Sequence, residues 1–175
     1  TFKEELYRKY FTIPKSNYIE VLGFSFPITE NWQKFDVQNY IGKAIEIVRQ
    51  IHVGNLGDFK KVQRDIIIFM KGAADITLML ESLWKLNEDA DMVKAAGLLY
   101  PLGLNREIFI ESGKRYQDIM SRLDQVEMDG KKPTRRVIIS TNVAETGVTI
   151  DTLKYCIDSG FYISVWNDAV FDTAV

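Results

Sequence analysis

Apolar residues recur at steps of three and four through Val37, Tyr40, Ile41, Ala44, Ile45, Val48 and Ile51, which predicts an amphipathic helix over residues 36–52. A second stripe, Ile76, Met79, Leu80, Leu83 and Trp84, predicts a helix after Lys71-Gly72 with those five side chains facing inward. Tyr116, Ile119, Met120 and Leu123 mark a third, and Phe2, Leu6 and Tyr10 a short one near the start that Pro14 ends. Between the stripes lie continuous apolar runs: residues 65–70, 95–104, 137–139 and 155–157. The run at 65–70 suits a strand buried on both faces, and the other three read as further strands. Residues 18–22 and 23–29, rich in aromatic and branched side chains, are expected to be extended, like a linker crossing onto a sheet. Residues 131–136 read as a polar, basic loop, solvated first and a phosphate contact second.

Strands alternating with helices predict an α/β fold: a parallel sheet with helices on both faces, joined by right-handed crossovers. Ligands of such sheets sit at the carboxyl ends of the strands. That directs attention to Lys71-Gly72, Ser140-Thr141-Asn142 and Asp158-Ser159-Gly160. The 175 residues, 46% hydrophobic and 26% charged, suit one folded domain. A net charge of -2 gives no chain-wide basic footprint, so a nucleic-acid partner has to be argued from local residues. The single cysteine, Cys156, excludes an internal disulfide and a multi-cysteine zinc site and suits a reducing compartment, cytoplasm or nucleus. No apolar run approaches the roughly 20 residues that span a bilayer, so no membrane partner is expected.

A nucleotide-hydrolysing site needs a glycine loop with lysine and an acidic residue to organise magnesium. Gly42-Lys43-Ala44 and Gly113-Lys114-Arg115 lack the upstream glycine and the following hydroxyl, and Asn87-Glu88-Asp89-Ala90-Asp91, the acidic candidate, follows a helix instead of a buried strand. These read as solvated turns. His52, at the end of the first strong stripe, is expected to cap or pack, its partial positive charge meeting the helix dipole. No histidine pair or cysteine cluster offers a metal site.

Residues 140–151, Ser-Thr-Asn-Val-Ala-Glu-Thr-Gly-Val-Thr-Ile-Asp, differ in kind. They put hydroxyl, amide and carboxyl groups directly after a buried strand, where a core has no use for them. Small polar side chains and backbone amides there can hold phosphate oxygens, and a carboxylate a turn later can accept from sugar hydroxyls. The stretch resembles motif V of the DEAH/RHA helicases of superfamily 2, matching it at every defined position. The continuation through Tyr155-Cys156-Ile157-Asp158-Ser159-Gly160-Phe161 resembles the segment after that motif in the family. Residues 64–75 resemble motif IV, with Lys71 where the family often has threonine, and Gln50-Ile51-His52 the end of the helix before it.

The resemblance implies the second RecA-like domain of such a helicase, α/β and without a P-loop of its own. It implies that Lys71, Gly72, Thr141 and Asn142 meet the nucleic-acid backbone. Gly147 and Thr149 would face the nucleotide phosphates and Asp151 the ribose. Gly147 stands where many members have serine, so a hydroxyl that senses the terminal phosphate is missing there. For the adenine-stacking aromatic of the family, Tyr116 and Met120 are the candidates, with packing as Tyr116's first role. Residues 98–117 lack the family's usual L-P motif, which points to a divergent, viral branch. Residues 162–175 are expected to be the first arm of a hairpin or an ordinary edge strand.

The resemblance further implies ATP with Mg2+ in a longer parent, no nucleotide bound tightly by this chain alone, and no hydrolysis by it alone. The partners would be single-stranded RNA or DNA and a first RecA-like domain of the same parent. The expected division is a linker helix and crossing strand over residues 1–30, then the RecA-like domain over 31–175, ending before the arginine motif. Thr1 would be the last residue of the preceding motif, and both ends cuts through a longer protein. Two other readings share the fold: a viral transcription or packaging ATPase that moves on DNA without unwinding it, and a decayed motor that binds protein.

Overall fold

The computed structural model of the chain describes residues 4–12, 14, 23, 26–54, 64–104, 121–142, 150–161, 167–168 and 173–174. Contacts divide it into two units, Thr1–Asp36 and Val37–Val175. In the first, helix α1 (Glu4–Tyr10) ends with Arg8 and Lys9 in its last turn, favourable beside the carbonyl end of the helix. Phe11 stacks on Tyr7 and meets Tyr10 edge-on, with ring centroids 6.4 and 4.8 Å apart. The extended segment expected at residues 18–22 lies outside the described residues. Of the next one, residues 26–29 form no strand, and Phe26 and Ile28 are exposed. Pro27 between them has no N–H for a ladder.

The second unit is built on a four-stranded, all-parallel sheet of β1 (Asp65–Phe69), β2 (Leu99–Leu104), β3 (Arg135–Ser140) and β4 (Leu153–Asp158) in the order β2-β3-β1-β4. The predicted α/β class is therefore observed. Register pairs Ile66 with Val137, Leu104 with Ser140, and Phe69 with both Ser140 and Asp158. All four strands thus end at one edge. Alternation along the strands makes two faces. Ile66, Ile68, Leu99, Val137 and Ile139 form the larger cluster with α2 (Tyr40–His52), α3 (Ala73–Leu86) and Met92 of α4 (Ala90–Ala96). Ile67, Leu104 and Ile138 make a smaller one on the other face with Phe69, Leu102 and Ile150. Gly103 on β2 lets α3 come close: a Cβ there would stand 2.9 Å from Leu80 Cδ1 and 3.1 Å from Ile76 Cγ2.

The differences from the sequence reading have local causes. Helix α2 begins at Tyr40, not residue 36, because the Asn39 side chain caps it, accepting from Gly42 N at 2.9 Å. Ile76, Met79 and Leu83 of α3 are buried and Leu80 half-buried, but Trp84 is 42% exposed and does not face the core. Helix α4 occupies part of the stretch read as solvated turn and strand. It is capped by Asp89, which accepts from Met92 N at 3.1 Å, and closed by Gly97 at φ +86. With one buried residue it leaves no stripe to read. Of the third predicted helix, residues 116–120 lie outside the described residues, and Leu123 belongs to a short 3-10 turn, Leu123–Gln125.

Arg135 and Arg136 are not in the basic loop. They open β3 and are 4% and 2% exposed. Lys131 and Lys132 alone of the loop's basic residues are exposed. Near the end of the chain, β5 (Asn167–Asp168) and β6 (Thr173–Ala174) form an antiparallel pair.

Candidate functional site

The carboxyl edge of the sheet gathers three of the singled-out segments. The last pairs of the ladder, Phe69↔Ser140 and Phe69↔Asp158, set the turns after β1, β3 and β4 side by side. Met70 N donates to Ser140 O at 2.8 Å and Ser159 N to Phe69 O at 3.3 Å, extending the pairing one residue past the strands. Lys71, Thr141 and Gly160 come directly after. Lys71 and Asn142 are exposed, Gly72 and Thr141 half-buried, and Ser140 fully buried with its hydroxyl donating to Thr141 O at 2.8 Å. Gly72 is the N-cap of α3 and brings no side-chain cap, so the first amides of a 14-residue helix are left for another acceptor.

Sequence reading missed what braces this edge. Tyr40 donates its phenol hydrogen to the Asp75 carboxylate in the first turn of α3, and its ring lies 5.3 Å from that of Phe161, just past β4. Burial, then the Asp75 bond and charge, push the Tyr40 phenol up to about 12, so it stays protonated and donating. Tyr40 was legible as part of an apolar stripe; its polar tip carried no signal. At the turn beyond β4, Asp158 accepts from Gly160 N at 2.8 Å, which fixes the approach to Phe161.

Asp151 lies elsewhere. It precedes β4 and so belongs to the amino edge, a strand length away from Thr141, roughly 17–20 Å at about 3.3 Å per residue. It sits in a turn closed by Leu153 N donating to Ile150 O at 3.1 Å, and it is exposed. An exposed carboxylate on a fixed turn fits a sugar hydroxyl as donor to it. Gly147 and Thr149 lie outside the described residues, as do Tyr116 and Met120. Among the described residues, no group of three or more histidine, cysteine, aspartate or glutamate side chains gathers to hold a metal ion.

His52 packs as expected, 6% exposed with Nε2 3.0 Å from Gly97 O. The expected positive charge is corrected: burial lowers its pKa, Arg135 lowers it further, and the Gly97 bond only partly offsets them. A neutral ring donating to Gly97 O suits these surroundings. No described helix is long and apolar enough to cross a membrane.

No family model matches the chain. It is 35% identical to a "Putative RNA Helicase" of African swine fever virus over 176 residues, 97% of this chain and 18% of that protein. It is 30% identical to a "Putative pre-mRNA-splicing factor ATP-dependent RNA helicase" of Schizosaccharomyces pombe, over 82% of this chain and 19% of that protein. It is 28% identical to the "ATP-dependent RNA helicase HrpA" of Borreliella burgdorferi, over 91% of this chain and 17% of that protein. The chain thus spans about a fifth of the length of the curated relatives it matches. Likeness across a virus, a yeast and a bacterium, together with the all-parallel sheet and the polar turns at its edges, makes the chain a helicase domain of the DEAH-like type with a RecA-like α/β fold.

Proposed function

We propose that the chain is the second RecA-like domain of an ATP-dependent RNA helicase and serves two ligands at two edges of one sheet. The carboxyl edge takes the backbone of single-stranded RNA: Lys71 supplies a mobile charge, Thr141 and Asn142 short hydrogen-bonding groups, and Gly72 room beside the uncapped start of α3. Phosphate contacts of this kind position a strand without reading its sequence. The observation that carries the reading is the register, which puts the ends of β1 and β3 next to each other with Met70 N bonded to Ser140 O.

At the amino edge, Asp151 accepts from the ribose of ATP; the phosphate contacts fall to Gly147 and Thr149, which lie outside the described residues. ATP with Mg2+ supplies the free energy of movement. The phosphate-binding loop, the acidic residue for magnesium and the arginine fingers come from the rest of the parent protein, including a first RecA-like domain. The names of the relatives support RNA as the substrate class.

The test is hydrolysis and strand displacement by the full-length protein. ATP hydrolysis stimulated by single-stranded RNA, with displacement of a duplex RNA, is expected, and Thr141→Val lowers both. A full-length protein with an intact phosphate-binding loop whose hydrolysis ignores RNA counts against this function. Stimulation by duplex DNA without displacement points to a DNA-translocating ATPase.

A further inference from the structure

Asp151 is exposed, but both of its neighbours are held. Ile150, half-buried, packs against the cluster of Ile67, Leu104 and Ile138. Thr152 is held to β1 twice: its carbonyl accepts from Asp65 N at 3.1 Å, and its hydroxyl donates to the Asp65 carboxylate. Asp65 opens β1 and is 3% exposed. Arg136, its neighbour on β3, stands with Nε 3.7 Å from Asp65 Oδ2 and also donates to Ser121 O. The pairing of β1 with β4 slips at this point: Asp65 faces Leu153 and Ile66 faces Tyr155, so Lys154 is the extra residue of a bulge. Bulges occur beside functional groups because they re-aim the chain.

Two buried charges at the start of two central strands are a costly way to fill a core, since each is desolvated. They are accounted for if they hold something in place. We propose that Asp65, acting through the Thr152 hydroxyl and backed by Arg136, is the positioning residue for Asp151 and fixes the turn from which that carboxylate meets the ribose hydroxyls of a nucleoside triphosphate. This rests on the ribose role of Asp151 proposed above. Ile150 anchors one end of the turn by packing, and the Asp65–Thr152 pair anchors the other by hydrogen bonding. With the second anchor gone, Asp151 keeps its charge and loses its aim.

The experiment compares KM for ATP and for 2′,3′-dideoxy-ATP in the full-length protein carrying Thr152→Val, Thr152→Ser or Asp151→Ala. Thr152→Val keeps the shape of an exposed side chain and removes only the hydroxyl, and its thermal unfolding checks the fold. It is expected to raise KM for ATP about five- to tenfold, part of the roughly ten- to hundredfold that one hydrogen bond to a charged group carries. KM for the dideoxy nucleotide and kcat stay in place, and Thr152→Ser restores the preference. Asp151→Ala abolishes it. If Thr152→Val raises KM for both nucleotides together, or leaves both unchanged while Asp151→Ala abolishes the preference, the positioning role is wrong. If Asp151→Ala keeps the preference, the ribose role fails and this inference with it.

Discussion

The two edges of the sheet are built by opposite means. At the carboxyl edge the groups that could meet a ligand are exposed or half-buried, and the brace behind them, Tyr40 with Asp75 and Phe161, uses one hydrogen bond and one ring contact. At the amino edge the exposed Asp151 is followed by Thr152, which is bonded to Asp65; Asp65 and Arg136 are both buried, with the buried Arg135 beside them on β3. Arg135 donates to Arg64 O and lies 5.7 Å over the Tyr155 ring. A polyanion that slides needs many weak, exchangeable contacts, each screened by salt. A nucleotide that is read by shape needs few groups held firmly. Ligand contact and fold stability are therefore separable at the first edge and joined at the second.

The largest expected effect is on stability. Arg136→Ala removes the cation paired with the buried Asp65 carboxylate and leaves it only the more distant Arg135, and is expected to cost about 3–5 kcal/mol in denaturant unfolding; a loss below about 1 kcal/mol would show that water reaches this pair or that Arg135 takes over. Gly103→Val comes next. Its side chain would crowd Leu80 and Ile76, where even a Cβ stands 2.9 Å from Leu80, and overpacking of this kind costs about 1–3 kcal/mol. That loss should spread to neither ligand's affinity, since Gly103 faces α3 and neither edge.

A smaller effect is a dependence on pH. Burial keeps the His52 pKa in the folded chain below the ordinary 6.5. The stability contributed by its neutral form is complete above that value and falls as pH drops toward the folded pKa, because the unfolded chain takes the proton first. Stability of the parent chain and of His52→Gln, measured side by side, should differ by a constant amount above pH 6.5 and converge as pH falls below it; an offset that stays constant below pH 6.5 would mean that the ring is not held neutral. The smallest effect sits at the carboxyl edge. Lys71→Gln should leave unfolding unchanged and reduce the salt dependence of RNA binding by about 0.7 in the log–log slope, as for one phosphate contact on a single strand. An unchanged slope would remove Lys71 from the interface.

The sequence was informative where side chains serve a period. The isoleucine run of β1 and the stripes of α2 and α3 gave the layers, and the density of small polar groups after β3 pointed to the edge that Thr141 and Asn142 occupy. It was uninformative where polar residues are buried by partners far away in the chain. Arg135 and Arg136 look like loop in any local window, and only the pairing with Asp65, some seventy residues earlier, and the carbonyls of Arg64 and Ser121 makes them strand. The bracket around Asp151 was hidden for the same reason: Thr152 and Asp65 meet only once β1 and β4 are neighbours. Helix α4 shows the other limit, since its cap at Asp89 was readable and its single buried methionine was not.

The central claim is that RNA and nucleotide are served at different edges of this sheet. The most direct measurement is RNA-stimulated ATP hydrolysis by the full-length protein, read as two constants, KM for ATP and the RNA concentration for half-maximal stimulation, in Asn142→Ala and Asp151→Ala. The account predicts that Asn142→Ala raises the RNA constant and leaves KM for ATP in place, whereas Asp151→Ala does the reverse. Variants that shift both constants together, or an Asp151→Ala that shifts only the RNA constant, would contradict it.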